Sequence, residues 1–449
     1  MSAAPHAAAA PDRATSLPPG PPWPMVVQTF LFGGYRHRWL PTLRRRYGDA
    51  VLLRIAPRSR RMVLLARPEH IREVFSGSST TFHAGEGNAI LGPLMGPHSV
   101  LLLDEDDHLK VRRQLMPAFN GAALRGYRDL VAGITREQVG GWPVGRHAPI
   151  HPRMQAITLE VILRVVFGVT DRARLAALRP LVERVVSVSP LIMVAGFYPP
   201  LRNYGPWRRH LEVQERMDDL LYAEIAERRT ADSLADRHDV LSRLLTTPES
   251  SLTDEELRDQ LVTLLLAGHE TTATGLAWAF HELARNPAVL ASAQRVADER
   301  DDAYLGAVAK EALRLHPVIY ETARVLTEPA EVAGYRLPAG VTVMPVIGLV
   351  HSDEEHHPRP REFRPERFLD PDPPSSHTWF PFGGGVRRCL GAGFSLMESE
   401  VILREVLTRF DVRAGTSRPE ALKARNVTLA PRRGARVMLT PRRPGRRLR

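Results

Sequence analysis

Sulfur is nearly absent from this chain of 449 residues: there is one cysteine, Cys389. A single sulfur excludes an intrachain disulfide, a Cys-rich zinc site and a Cys-ligated iron–sulfur cluster. Long apolar runs are also absent. No stretch reaches the 18 or more residues that a spanning helix needs, and no basic segment precedes an apolar one in the manner of a signal peptide. A cytoplasmic location is therefore expected. No G-x-G-x-x-G fingerprint is present, so the chain carries no flavin or dinucleotide motif of that kind. Internal repeats and Gly/Ser-rich linkers are lacking as well. At 43% hydrophobic and 25% charged the composition is that of a globular protein. The net charge of +11 invites a nucleic-acid reading, but residues 421–449 hold ten basic residues and no acid, leaving +1 for residues 1–420. Without a recognition motif, no nucleic-acid partner is expected.

Residues 1–16 are small and polar and are expected to be a disordered tail. Leu17–Pro24 is proline-rich and extended. The apolar stretch Met25–Phe32 is too short to span a bilayer; it could touch a membrane surface, but packing against the body is the expectation. Val51–Ile55 and Arg61–Leu65 read as a β-hairpin. Residues 83–98 hold four Gly and two Pro, which suggests a mobile loop. From 105 to 320 helical patterns dominate. The fold class is mainly α with a small β portion, in one domain over residues 17–440, with a basic C-terminal tail at 441–449.

One helix stands out. Thr253-Asp254-Glu255-Glu256 has the capping-box pattern, and no proline follows until Asn286-Pro287, about 32 residues and roughly 48 Å later. In its middle lies Ala267-Gly268-His269-Glu270-Thr271-Thr272-Ala273-Thr274. Glycine, β-branched threonine and a charged glutamate suit the interior of a buried helix poorly. This notch is either a loosened helix at a site or a kink with hydroxyls bonded back to carbonyls. The lone cysteine sits in Phe380-Pro381-Phe382-Gly383-Gly384-Gly385-Val386-Arg387-Arg388-Cys389-Leu390-Gly391, ahead of an apparent helix at Phe394–Val406. A free cysteine is commonly an inert buried hydrophobe. Here the glycines permit close approach of a planar partner and positive φ, and a helix N-terminus with nearby arginines favours a thiolate.

These residues resemble the haem-ligand loop of the cytochrome P450 superfamily, Phe-x-x-Gly-x-Arg-x-Cys-x-Gly, with Phe382, Gly385, Arg387, Cys389 and Gly391 at every fixed position. The helix motif [Ala/Gly]-Gly-x-[Asp/Glu]-Thr-[Thr/Ser] is met by Ala267, Gly268, Glu270, Thr271 and Thr272. Glu311 and Arg314 supply a Glu-x-x-Arg, and Phe363, Pro365, Glu366, Arg367 and Phe368 the Phe-x-Pro-Glu-Arg-Phe segment. Glu-x-x-Arg carries no weight alone, since it recurs at Glu69/Arg72, Glu255/Arg258, Glu282/Arg285 and Glu321/Arg324. Its place, with Arg314 75 residues before Cys389, gives it meaning.

The resemblance implies a cytochrome P450 fold of bacterial type, with haem b (iron-protoporphyrin IX) between the long central helix and the cysteine loop. It implies that Cys389 is the iron ligand. Ala267, Gly268, Phe382 and Gly391 would line the haem, and His108, Arg112, Arg324 and Arg387 would hold its propionates, for which the planar guanidinium fork is suited. Glu270 and Thr271 would be the acid–alcohol pair that delivers protons for O–O cleavage. Peroxide-driven relatives tend to lack that pair, which favours reductive O2 activation. Glu311, Arg314 and Arg367 would form a structural triad. The implied function is a haem-thiolate monooxygenase that inserts one oxygen atom of O2 into a lipophilic small molecule. Ferredoxin and ferredoxin reductase are the implied electron donors. The alternative is a haem-based binding or sensing protein without turnover, against which the Glu270–Thr271 pair argues.

Other features invite simpler explanations. Asp104-Glu105-Asp106-Asp107 are expected to be dipole-favourable charges leading a helix rather than metal ligands. His351, His356 and His357 are expected in a surface loop, and His269 in packing or pocket lining. The segments expected to face substrate are 83–98, Pro190–Pro200, Thr263–Ala267 and Val318–Thr322, largely apolar.

Overall fold

A 32-residue helix, Asp254–Arg285, runs through the interior, buried on nearly all sides. Its start is fixed locally: the Thr253 hydroxyl accepts from the Glu256 amide at 3.2 Å, and the Glu256 carboxylate accepts from the Thr253 amide at 2.8 Å. Asp254, Glu255 and Glu256 in the first turn and Arg285 in the last complement the helix dipole. Asn286-Pro287 ends it, and a new helix starts at Pro287. This computed structural model describes residues 17–56, 60–168, 172–186, 200, 203–231, 234, 237, 239–246, 252–425 and 427–442. The expected tail at 1–16, residues 190–199 and most of the C-terminal tail lie outside these. Pro441 closes a strand, and Arg442 bonds Asp298 at 2.9 Å and the Leu407 carbonyl at 2.7 Å.

Helix His151–Phe167 lies along the central helix, with an almost continuous buried run from Ile157 to Phe167. Helices Gly121–Gly140, Ala303–Leu315 and Ala392–Leu407 complete the core around it. The β portion is small. β1 (Ala50–Ile55) pairs antiparallel with β2 (Arg60–Leu65) as the hairpin pattern predicts, with Ala50 opposite Leu65. β2 runs parallel to β8 (Thr342–Pro345), and β5 (Arg324–Leu326) and β3 (Phe82–His83) extend the sheet. β10 (Leu422–Arg425) and β11 (Thr428–Pro431) form a hairpin, and β12 (Arg436–Pro441) lies between β4 (His147–Pro149) and β9 (Phe410–Ala414). β6 (Ala330–Val332) and β7 (Tyr335–Leu337) form the remaining pair. No helix among the described residues is long and apolar enough to cross a membrane.

Three expectations change. Residues 83–98 are a string of short helical turns, Ala84–Gly87, Ala89–Leu91 and Gly92–Met95, rather than a loop. The cause is remote: the Asp104 carboxylate accepts from the amides of Ala84, Gly85 and Glu86 at 2.8, 2.9 and 3.1 Å. Asp104 therefore caps a different helix from the one it precedes, while Glu105 pairs with the His83 ring at 2.8 Å. His351 and His357 are buried, not on a surface loop. The Phe380 amide donates to His351 Nε2 at 3.1 Å, and the His357 ring bonds the Thr378 carbonyl at 2.9 Å. Burial pushes both rings down, His351 well below its ordinary value and His357 to about 4. Finally, the first helix, Met25–Tyr47, packs only one face on the body; Val26, Val27 and Phe30 face outward.

Candidate functional site: an exposed cysteine beside a cluster of cations

The cysteine loop is closed by its own backbone, with the Cys389 amide donating to the Phe382 carbonyl at 2.8 Å and Gly383 to Phe380 at 2.9 Å. Gly383 and Gly385 hold φ of 68° and 64°, so positive φ is the reason for glycine at both, as expected. The close approach has a different source. A Cβ on Gly384 would lie 2.4 Å from the Phe75 ring, and one on Gly385 1.9 Å from the Phe75 carbonyl oxygen. These two glycines admit the end of helix Pro68–Ser76 rather than a planar ligand.

Cys389 is exposed, yet protein surrounds it so closely that burial pushes its thiol above the usual range. Exposure in so crowded a setting places the sulfur at a gap in the packing. The Gly391 amide and the guanidinium groups of Arg112 and Arg388 pull the thiol down, as the dipole-and-arginine argument requires, but burial outweighs them. Ala267 is likewise exposed in the middle of the central helix, between buried Leu265 and His269. The Thr272 and Ser395 hydroxyls, 3.1 Å apart, tie the central helix to the helix that follows the cysteine loop.

Cations gather beside this gap. Arg387 bonds the Val100 carbonyl at 3.3 Å, the Leu103 carbonyl and the Asp104 carboxylate. Arg112 bonds the Arg388 carbonyl at 2.7 Å. Arg324 is buried, donates to the Ala323 carbonyl at 2.7 Å and lies 5.8 Å from the Phe75 ring. Among the described residues no carboxylate lies within ion-pair distance of it. Burial, and then Arg387, lower its pKa to about 10. His108 is pushed to about 4 by burial, then by Arg387, Arg112 and Arg324. Three guanidinium groups thus converge on His108 with Asp104 as their acidic neighbour. A buried cation without a counterion is costly, and this surplus fits a ligand carrying carboxylates. An exposed lone thiol at a gap in the packing fits a metal. The residues present therefore fit a haem.

On the central helix, Glu270 turns toward helix His151–Phe167. Gln155 Nε2 donates to its Oε2 at 2.5 Å, while Oε1 has no hydrogen bond and lies 3.6 Å from His151 and 3.7 Å from Arg425. Burial raises the pKa of this carboxyl against the pull of Gln155, Arg425 and Thr274. His151 in turn bonds Thr274 at 3.1 Å and is pushed to about 4 by burial. The Thr271 hydroxyl donates to the Ala267 carbonyl at 2.7 Å, so the helix continues unbroken with its hydroxyl bonded back rather than loosening. Gly268 serves packing, since a Cβ there would lie 2.8 Å from Ile162 Cδ1. His269 is packing too: Thr158 meets its Nδ1 and its carbonyl, each at 3.1 Å.

Glu311, Arg314 and Arg367 come together in a dry cluster. Arg314 grips Glu311 with two bonds of 2.7 and 2.9 Å, and Arg367 adds one of 3.0 Å. The free donors of Arg314 reach the carbonyls of His351 and Glu362 at 2.8 and 3.2 Å. Sequence reasoning missed Asp104 as the partner of Arg387, and Gln155, His151 and Arg425 as the surroundings of Glu270. No local pattern marks any of them. It also missed Glu398, fully buried on the helix after the cysteine loop, with neither oxygen hydrogen-bonded; burial raises its pKa well above 4.5. As pH rises past 4.5 the unfolded carboxyl ionises and the buried one does not, so wild-type stability falls by up to about 1.4 kcal/mol per pH unit from this group. In Glu398→Gln that loss is absent. Melting curves should show the variant gaining on wild type from pH 5 to 7; a constant gap would mean the carboxyl is solvated or paired.

The family model described as cytochrome P450 matches residues 17–437. Cytochrome P450 135A1 of Mycobacterium tuberculosis is 49% identical over 435 residues, covering 96% of each chain. Cytochrome P450 135B1 of Mycobacterium bovis is 45% identical over 430 residues, covering 94% of this chain and 91% of the relative. The solved structure of retinoic acid-bound cyanobacterial CYP120A1 superposes with a TM-score of 0.82 at 23% identity, covering 95% of this chain and all of that one; it shows a shared fold.

Proposed function

The chain belongs to the cytochrome P450 family, and from that premise we propose that it oxidises a lipophilic small molecule with electrons from a separate ferredoxin and ferredoxin reductase. As a member it is a haem-thiolate monooxygenase that binds haem b. The observation that carries the proposed site is the exposed lone cysteine, drawn on by Arg112 and Arg388, together with buried Arg324, which no carboxylate pairs with among the described residues. The matched segment supports treating residues 17–440 as one catalytic domain.

In this reading Cys389 Sγ would ligate the haem iron, and Arg324, Arg387, Arg112 and His108 would hold the haem carboxylates. Asp104 keeps the Arg387 fork in place from the protein side. When bound, the haem supplies O2 activation, with the thiolate pushing electron density to favour O–O cleavage. Ala267 gives the central helix a low profile beside the gap, and Gly268 lets that helix approach Ile162 closely. Phe382 and Gly391 act through the backbone, the one closing the cysteine loop and the other directing its amide at the sulfur. Protons move along the chain's own groups. Burial shifts Glu270 toward its neutral form, which suits it to pass a proton, and half-exposed Arg425 lies 3.7 Å from its Oε1. Thr271 Oγ1 stands next in sequence with one hydrogen given to Ala267, leaving its lone pairs free to accept. Arg113 and Arg388 are exposed near Arg112, a positive face complementary to an acidic ferredoxin.

The test combines two measurements. Compounds are screened for a spin-state shift of the ferric protein, and each hit is then assayed for NADPH and O2 consumption with a surrogate ferredoxin system. Turnover with a hit supports the proposal; binding without consumption or product favours a sensor. With a working substrate, Glu270→Gln should lower product formation by about a hundredfold and enlarge the solvent hydrogen isotope effect. An unchanged rate and isotope effect would remove Glu270 from the proton route.

A further inference from the structure

The half of the first helix before its kink at Tyr35, Met25–Gly34, is built inside out. Its polar residues face the protein. Gln28 is 1% exposed, donates to the Trp23 carbonyl at 2.8 Å and accepts from the Arg54 amide at 3.0 Å. The Thr29 hydroxyl accepts from the Ala56 amide at 2.9 Å. Leu31 and Phe32 pack against the core, but three apolar residues face outward: Val26 is 70% exposed, Val27 42% and Phe30 64%, beside Trp23 at 41% and Tyr35 at 45%. The Phe30 and Tyr35 rings are 5.6 Å apart, which joins Tyr35 to the patch. No charged residue interrupts Met25–Gly34. A surface helix ordinarily shows the opposite arrangement, and a contiguous exposed apolar patch marks an interaction site.

Charge around the patch says what it meets. Residues 17–65 contain nine arginines and one acid, Asp49, a net of +8, whereas residues 66–420 are net −7. Asp49 is already engaged by Arg44 at 2.7 Å and Arg67 at 3.1 Å. Arg54, Arg60 and Arg61 are exposed on the hairpin that Gln28 and Thr29 bond to, and among the described residues no carboxylate pairs with them. Arg54 and Arg61 stand directly opposite one another across β1 and β2, and like charges in that position oppose strand pairing. An external anionic surface removes that penalty.

We propose that this face docks onto an anionic lipid bilayer, with Trp23, Val26, Val27 and Phe30 at the headgroup boundary and Arg54, Arg60 and Arg61 on lipid phosphates. Apolar side chains with aromatic neighbours and a basic rim are the composition of an interfacial helix, and each arginine near the surface adds attraction that salt screens. A second copy of the chain fits less well, because a two-fold contact sets the arginines of one copy against those of the other. Nucleic acid leaves the apolar residues without a role.

The test is sedimentation of the full-length holoprotein with large unilamellar vesicles, either pure phosphatidylcholine or phosphatidylcholine mixed with phosphatidylglycerol. Wild type should bind the anionic vesicles about tenfold more tightly than the neutral ones, and high salt should reduce the difference. Val26→Ser/Phe30→Ser should lose most binding to both. Arg60→Glu/Arg61→Glu should lose only the preference for phosphatidylglycerol. Both variants should keep the wild-type haem spectrum, which shows that they fold. Wild type failing to sediment with anionic vesicles would overturn the proposal. So would equal binding by Val26→Ser/Phe30→Ser, which keeps the basic C-terminal tract, since the attraction would then lie elsewhere. A wild-type dimer in solution that Phe30→Ser dissociates would reassign the patch to self-association and overturn it as well.

Discussion

Cys389→Ala protein, reduced under carbon monoxide, is expected to lose the thiolate-type difference band entirely, and product formation should fall at least about a thousandfold, equivalent to about 4 kcal/mol of barrier. The size of the effect follows from the composition. With one cysteine in the chain, no second thiolate can take its place. The replacement is small and the loop is held by backbone bonds, Cys389 to Phe382 and Gly383 to Phe380, which alanine keeps. Far-UV circular dichroism should therefore be little changed, separating loss of the ligand from loss of the fold. Cys389→His offers a second arm: a nitrogen ligand should retain haem but give neither the thiolate band nor wild-type turnover, because the electron push of the thiolate is missing. A full band in Cys389→Ala would remove the assignment of the ligand.

Glu311→Ala should be the most damaging change away from the gap. It leaves the guanidinium groups of Arg314 and Arg367 buried without their counterion and frees the Arg364 amide, which donates to the same carboxylate at 3.0 Å. Breaking one partner of a buried ionic cluster costs about 3–5 kcal/mol, a large part of the stability of an ordinary protein. Poor recovery of folded, haem-retaining protein is expected, or a strongly lowered melting temperature. Glu69→Ala is the control. It alters the same Glu-x-x-Arg pattern on the exposed face of a helix, where Glu69 and Arg72 form no ion pair, and should cost no more than about 1 kcal/mol. Equal melting temperatures for the two variants would mean that Glu311 does not hold the cluster together.

That contrast explains why some features were legible in the chain and others were not. Glu69, Glu255, Glu282, Glu311 and Glu321 all begin the same tetrapeptide. Only the tertiary structure buries Glu311 with Arg367, 56 residues on, and gives Glu321 to Arg36 at 3.0 Å instead of Arg324. Arg324 is thereby left without a carboxylate of its own, which suits it to a carboxylate-bearing ligand. The histidines follow the same logic. His351 and His357 lie in a polar, proline-containing stretch that resembles a loop, but their rings bond Phe380 and Thr378, more than twenty residues away.

The sequence by itself determined what depends on near neighbours: the capping box at Thr253, the unbroken run to Asn286, the β1–β2 hairpin and the positive-φ glycines of the cysteine loop. It also supplied the motifs whose order and spacing mark the family. The tertiary structure decided every partnership between distant segments. Asp104 caps residues twenty positions upstream and grips Arg387; Glu270 meets Gln155, His151 and Arg425. It also decided which face of Met25–Gly34 points outward. The physical reason is common to these cases. Helix starts and turns are fixed by hydrogen bonds spanning a few residues, whereas the burial and pairing of a charge depend on which surfaces the packed helices bring together.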